Sequence, residues 1–299
     1  MRSDRRRSQA TRAAAEAARC AAIRYGATWT GAPAARSAFR RAALFASVCL
    51  SAVAILVPNA AHTQDATWIG TTSDWNTASN WAPSSVPINT ATFSNTGVTN
   101  VTISSGTSIG TIQFTTVAPV YSFAVNFALF EINGAGIVNN SAFAPSFTNN
   151  GAITFTNASS AGNSSLINNG GFTLSFTDTS TAGSATITTN NGALTQFATN
   201  STGGNARFIT NAGGTVDFSA TLGPNGNNQI TAGSIEGAGT YRLGANQLTV
   251  GSNNLSTTVS GSIQDGGSAG GSGALLVKVG TGTLTLSGNN TYTGATTIS

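Results

Sequence analysis

The sequence predicts an all-β protein, a parallel β-helix with coils of ~21 residues. Three observations carry that expectation. Phe155, Phe176, Phe197 and Phe218 recur with a constant period of 21, as do Gly162, Gly183 and Gly204, Asn169, Asn190 and Asn211, and Leu166, Ile187 and Phe208. Short runs such as GFTLSF (171–176) and GTVDFS (214–219) alternate apolar with polar residues, the period of a strand with one buried face. After Gln64 no stretch repeats apolar residues at helical spacing, and Thr, Val, Ile and Gly, all weak helix formers, are abundant.

A unit this short cannot bury its apolar side chains alone, so it must stack on copies of itself. In a parallel β-helix one unit makes one turn, and successive turns lie ~4.8 Å apart. Residues one period apart then sit above one another. The phenylalanines become an interior aromatic stack, and the asparagines become a ladder of amides at a turn. The scarcity of charge fits, because like charges would meet at that same short spacing. Asn, Gly, Ser and Thr bound the runs, as turns require, and Thr202 reads as a solvated turn residue. The rival is an antiparallel β-sandwich, which also has short strands and turns, but nothing in a sandwich fixes such a register.

The elements follow in order. Residues 1–63 read as an extended leader and signal peptide. Arg40 and Arg41 precede an uncharged apolar run, 42–57, which Pro58 breaks before Ala60 and Ala61. Basic flank, apolar core and small-residue exit are the parts of a secretory signal, and the run is shorter than the ~20 residues of a membrane-spanning helix. Cleavage is expected after Ala61 or Thr63. Residues 64–110 read as an N-terminal cap and first strands. Trp68, Trp75 and Trp81 fall here. They form either an aromatic platform for sugar or a cap over the first coil; an uncovered solenoid end exposes core and unpaired edges, which favours the cap. Residues 111–260 hold the coils. Residues 261–276, GSIQDGGSAGGSGALL, read as a Gly/Ser-rich loop excursion or linker.

Residues 277–299 form the last segment. Lys278, Gly280, Gly282, Leu284, Leu286, Asn290, Tyr292, Gly294, Thr297 and Ile298 make this stretch resemble the autotransporter-associated β-strand repeat of bacterial surface proteins. TWIGTTSDWNTASNW and GTIQF are similar to the amino-terminal parts of passengers from the same proteins. The resemblance implies a right-handed β-helical passenger, normally followed by more repeats and by a membrane β-barrel that exports it. The alternating segments of ~10 residues that such a barrel needs are not found here. The chain stops inside one repeat, so it is expected to be a fragment, a truncated gene or a gene split by a frameshift, with the barrel encoded downstream.

Composition bounds the chemistry. The formal net charge is +4, yet residues 1–63 hold ten Arg against two acids, while residues 64–299 hold Arg207, Arg242 and Lys278 against seven acids. Three scattered cations cannot make the basic stripe that a nucleic-acid reader needs. Cys20, Cys49 and His62 all precede Gln64, and no His or Cys follows it. Ser–His and Cys–His nucleophilic pairs and thiolate or imidazole metal sites are therefore excluded from residues 64–299. The remaining candidates are the carboxylates Asp65, Asp74, Glu131, Asp178, Asp217, Glu236 and Asp265. No two are separated by a single period; Asp217 and Glu236, 19 apart, come nearest to one and could share a face, whereas two solvated turn carboxylates are the plainer reading. No catalytic residue, cofactor or metal is expected.

The function expected is a non-enzymatic, secreted or surface-displayed passenger acting as a stalk or adhesin-like scaffold. Its partners would be the secretion machinery, through the signal peptide, and a β-barrel translocator. It would lie at the cell surface or outside the outer membrane, or in the periplasm if no barrel carries it. A polysaccharide-acting β-helix enzyme and a trimeric phage-tail-like fibre remain as alternatives.

Overall fold

A computed structural model describes residues 64–299; the leader and signal peptide expected in residues 1–63 lie outside the described residues. From Ala66 onward the chain winds as a parallel β-helix with three strand ladders. The first ladder stacks Asn100–Ile103, 122–125, 146–149, Ser165–Asn168, Thr186–Thr189, Arg207–Thr210 and Ser234–Glu236. Thr257–Val259 and Leu284–Leu286 continue it. The second stacks 107–109, 129–132, 152–155, Thr173–Phe176, Leu194–Thr199, Thr215–Thr221, Thr240–Arg242 and Ser262–Gln264.

The third ladder runs from Ala66–Trp68 through Thr90–Phe93, 111–114 and 136–139. It narrows to single bridge residues at Ser160, Thr181 and Thr202, then widens again through Gln229–Ala232, Gln247–Val250, Leu275–Lys278 and Thr296–Ile298. Eleven layers separated by ten steps of ~4.8 Å make this ladder about 48 Å long.

The predicted columns are physical. Phe155, Phe176, Phe197 and Phe218 are buried, with successive ring centroids 4.8 Å apart. The first two pairs are nearly coplanar, at 6° and 5°; the third opens to 21°, beside a register shift between Gln196 and Ala198. Leu166, Ile187 and Phe208 stack in register and are buried, with Val101, Phe123 and Phe147 below and Ile235 above. Burial at full depth stabilises each such side chain by about 1.5–3 kcal/mol.

The narrow layers of the third ladder have their own device. Gly162, Gly183 and Gly204 all take φ near +60°, a conformation that costs glycine nothing. Each donates its backbone N–H to the hydroxyl two residues earlier, on Ser160, Thr181 or Thr202. Thr202 also shares a 3.1 Å hydroxyl–hydroxyl bond with Thr231 in the next layer. It is therefore a tie between coils and not the solvated turn residue that the sequence suggested.

At the amino-terminal end Trp68, Trp75 and Trp81 are 0%, 0% and 1% exposed. Trp81 meets both other indoles edge-on, at 5.0 and 4.8 Å, and all three pack on Phe93. Asn80, also buried, holds the turn that carries them: its Oδ1 accepts from the N–H groups of Thr71 and Thr72, and its Nδ2 donates to Thr72 Oγ1 and the Asp74 carbonyl. The tryptophans thus cover the first coils and present no platform. Ladder strands already begin at Ala66, so the irregular covering segment is short and the solenoid passes beneath it.

Candidate functional site

Most of the carboxylates serve as ties. Asp65 accepts from Asn89 Nδ2 and Thr90 N–H. Asp178 accepts from Asn157 N–H one coil below. Asp217, buried, accepts from Ser219 N–H and from Ser268 N–H of the Gly/Ser-rich excursion, which folds back over it. Asp265 anchors the other end of that excursion, accepting from Gly273, Ala274 and Thr293 N–H and from the Thr293 hydroxyl. Burial works against ionisation of Asp265, yet these bonds hold its carboxyl below the usual range. Asp74 behaves alike: burial opposes ionisation, and donors from Ser104, Thr77 and Asn76 outweigh it. Glu131 stands on the second ladder in register with Ser108 and Thr154.

Asp217 and Glu236 do not share a face. Asp217 lies on the second ladder in register with Arg242, and Glu236 lies on the first in register with Ile209. Glu236 instead accepts from Arg207 Nε at 2.5 Å, a bond that raises the guanidinium pKa further. This pair borders a concavity of about 430 Å³ whose other polar lining is hydroxyl, including Ser256, Thr257, Thr283 and Thr285. One carboxylate bound to an arginine lacks the second acid or base that glycoside cleavage employs. Tyr241, fully buried behind it, has its hydroxyl pKa pushed up by burial, and Tyr121 is pushed up to about 12 for the same reason. Neither phenol is a base at neutral pH. Among the described residues no group of three His, Cys, Asp or Glu side chains could hold a metal ion.

The surface with most chemistry to offer lies elsewhere, at the corner between the first and second ladders. Asn126, Asn150, Asn169, Asn190 and Asn211 form one continuous amide ladder there, each Nδ2 from Asn150 onward donating to the Oδ1 one coil below, at 2.7–3.2 Å. A second, interior pair, Asn149 and Asn168, is buried beneath it, with Asn149 Nδ2 donating to Asn168 Oδ1 at 2.8 Å. The periodic columns gave three of the outer five; Asn126 and Asn150 escaped because the steps that follow them are 24 and 19 residues long.

Beside Asn126 the corner carries Phe127, 88% exposed and at φ +52°. A bulky residue there stores about 1–3 kcal/mol of strain. The cause is a parity conflict. Phe123 and Val125 point inward on the first ladder, and Phe130 and Ile132 point inward on the second. Strict alternation cannot bury all four, so a bulge between Asn126 and Leu129 expels a residue. That mismatch in SFAVNFALFEI was visible in the sequence. The expelled ring rests edge-on against Phe172, centroids 5.8 Å apart, across a corner where Gly151 has no side chain.

Residues 276–299 match the Passenger-associated-transport-repeat family. No curated protein matches the sequence, and no solved structure matches it. The chain therefore carries this repeat at the end of a β-solenoid, an architecture that fits an autotransporter passenger.

Proposed function

We propose that the chain is the exported part of a bacterial autotransporter, a non-enzymatic passenger whose solenoid is a rigid stalk or adhesin-like scaffold. One observation carries this reading: the matched repeat is continuous with the solenoid. Leu276 and Val277 sit in register on Leu248 and Thr249, and Leu284 and Leu286 on Thr257 and Val259. The repeat supplies the last rungs of two ladders, so each new coil forms on the edge that the previous one presents. Secretion through the leader, delivery by a β-barrel and residence at the cell surface belong to the same proposal. The lack of cysteine after Gln64 suits a chain that crosses an export channel unfolded.

The test is accessibility on the cells that make the protein. An antibody to residues 64–299 should label intact cells, and the exported chain should begin near His62 or Gln64 by N-terminal sequencing. Labelling only after permeabilisation would refute surface display. Hydrolysis of a polysaccharide by the purified chain, lost on Asp217→Asn or Glu236→Gln, would refute the scaffold role.

A further inference from the structure

We infer that the corner carrying Phe127, Phe172 and the asparagine ladder is a binding strip for a neutral carbohydrate chain lying along the solenoid axis. The proposal goes beyond export and display and does not depend on them. It rests on the juxtaposition of an exposed aromatic ring resting on a half-buried one, a row of half-used amides and an absence of charge.

The aromatic end is built to be bare. Phe127 is expelled from the core by the bulge and held at a left-handed backbone angle, 88% exposed. Its one aromatic contact is edge-on with Phe172, which leaves ring face open to solvent. An aromatic face carries partial negative charge. The axial C–H face of a pyranose ring, apolar and slightly positive, matches it.

The rest of the strip supplies polar partners. An amide side chain has two N–H donors and two acceptor lone pairs. Each of Asn150, Asn169 and Asn190 spends one donor and one acceptor on its neighbours in the ladder. One donor and one acceptor per coil therefore remain for a ligand, repeated at the coil spacing of ~4.8 Å. A hydroxyl donates and accepts, so a polyhydroxylated chain answers both. Alongside the ladder, Gly171, Gly192 and Gly213 are exposed with no side chain to obstruct the approach. Across the five corners, 126–129, 150–152, 169–173, 190–194 and 211–215, there is no charged residue. Nothing there would neutralise a uronate, sulfate or phosphate group, and the fit is to an uncharged chain. Apolar contact with a few placed polar groups is the usual make-up of a ligand site.

The experiment is native affinity electrophoresis of the purified full chain through gels containing hydroxyethylcellulose, galactomannan, xyloglucan or dextran, with polygalacturonate as the charged comparison. At least one neutral polymer should retard the protein and polygalacturonate should not. Phe127→Ala should weaken the retardation about tenfold in apparent Kd, the loss of one stacking contact, and Phe127→Trp should preserve it. Because Phe127 lies outside the core, the thermal midpoint of Phe127→Ala should stay near that of the parent, which separates lost binding from lost folding. Phe143→Ala, at a separate exposed apolar position, should leave retardation unchanged. Failure of all four neutral polymers, retardation indifferent to Phe127→Ala, or self-association in sedimentation that Phe127→Ala abolishes would each overturn the proposal. The last outcome would give the corner to a second copy of the chain.

Discussion

Asn190 shows how much a single residue decides in this fold. Its Nδ2 donates to Asn169 Oδ1 at 2.9 Å, and its Oδ1 accepts from Asn211 Nδ2 at 2.7 Å. In Asn190→Asp the carboxylate keeps the second bond but faces Asn169 Oδ1 with no proton to offer. The cost should be about 1 kcal/mol at neutral pH, the worth of one such bond. Protonation restores the donor, so the folded state raises this carboxyl's pKa above its unfolded value. The penalty is then absent below the unfolded pKa, near ~3.9, and appears as pH rises through the folded one. Urea denaturation of parent and variant at pH 3.5 and pH 7 should show midpoints that converge in acid; a constant gap would refute the donor argument. Phe197 sits deeper, between Phe176 and Phe218. Phe197→Ala should cost about 3–5 kcal/mol by removing a ring from a stack that cannot close up. Thr202→Ala should cost about 1 kcal/mol, because two hydrogen bonds end on that hydroxyl.

At the scale of the element, the Gly/Ser-rich excursion is a clipped flap. Residues 265–274 leave the second ladder after Gln264 and rejoin the third at Leu275. Asp217 holds the middle through Ser268, and Asp265 ties the end to Thr293 within the matched repeat. The Asp265 carboxyl titrates below its ordinary value of 3.8. The clip is therefore fully formed above that value and lost as pH falls through the depressed folded one. Thr293 and Ala274 amide resonances should shift together in NMR spectra with a midpoint below 3.8; a midpoint above it would contradict the clip, and in Asp265→Ala the acid transition should vanish. The same scale explains what could be read from the sequence. The period holds from Phe155 to Phe218 because successive corners there have equal length. Elsewhere the strands stay in register while the corners change, so the step is longer from Phe123 to Phe147, shorter from Phe147 to Leu166 and longest from Phe208 to Ile235. A ladder constrains only the strands, so insertions at corners erase the period without disturbing the stack. The candidate site was less legible. Sequence reasoning looked to tryptophans and carboxylates, which the fold uses for covering and tying. The exposed phenylalanine betrayed itself only through a break in alternation.

For the whole molecule, the solenoid should behave as a chain of neighbours in place of one indivisible core. Each coil packs mainly on the coils above and below, so stability is approximately a sum of local and nearest-neighbour terms. Trp68, Trp75 and Trp81 are the only tryptophans after Gln64 and all lie at one end, while the Phe155–Phe218 stack occupies the middle. Fluorescence of a chain beginning at Gln64 therefore reports the amino-terminal coils alone, and amide exchange reports every coil separately. Trp81→Ala removes the ring that touches both other indoles and Phe93. It should cost about 3–5 kcal/mol at that end, lowering the denaturant midpoint seen by fluorescence. Amide protection at Thr186–Thr189 and Arg207–Thr210 should change little. Phe197→Ala should do the reverse, stripping protection from those middle strands while the tryptophan signal holds near its parental midpoint. If both variants instead lower fluorescence and amide protection everywhere by the same amount, the coils unfold as one unit. The covering indoles would then stabilise the far end as strongly as their own, and the nearest-neighbour account would fail for this solenoid.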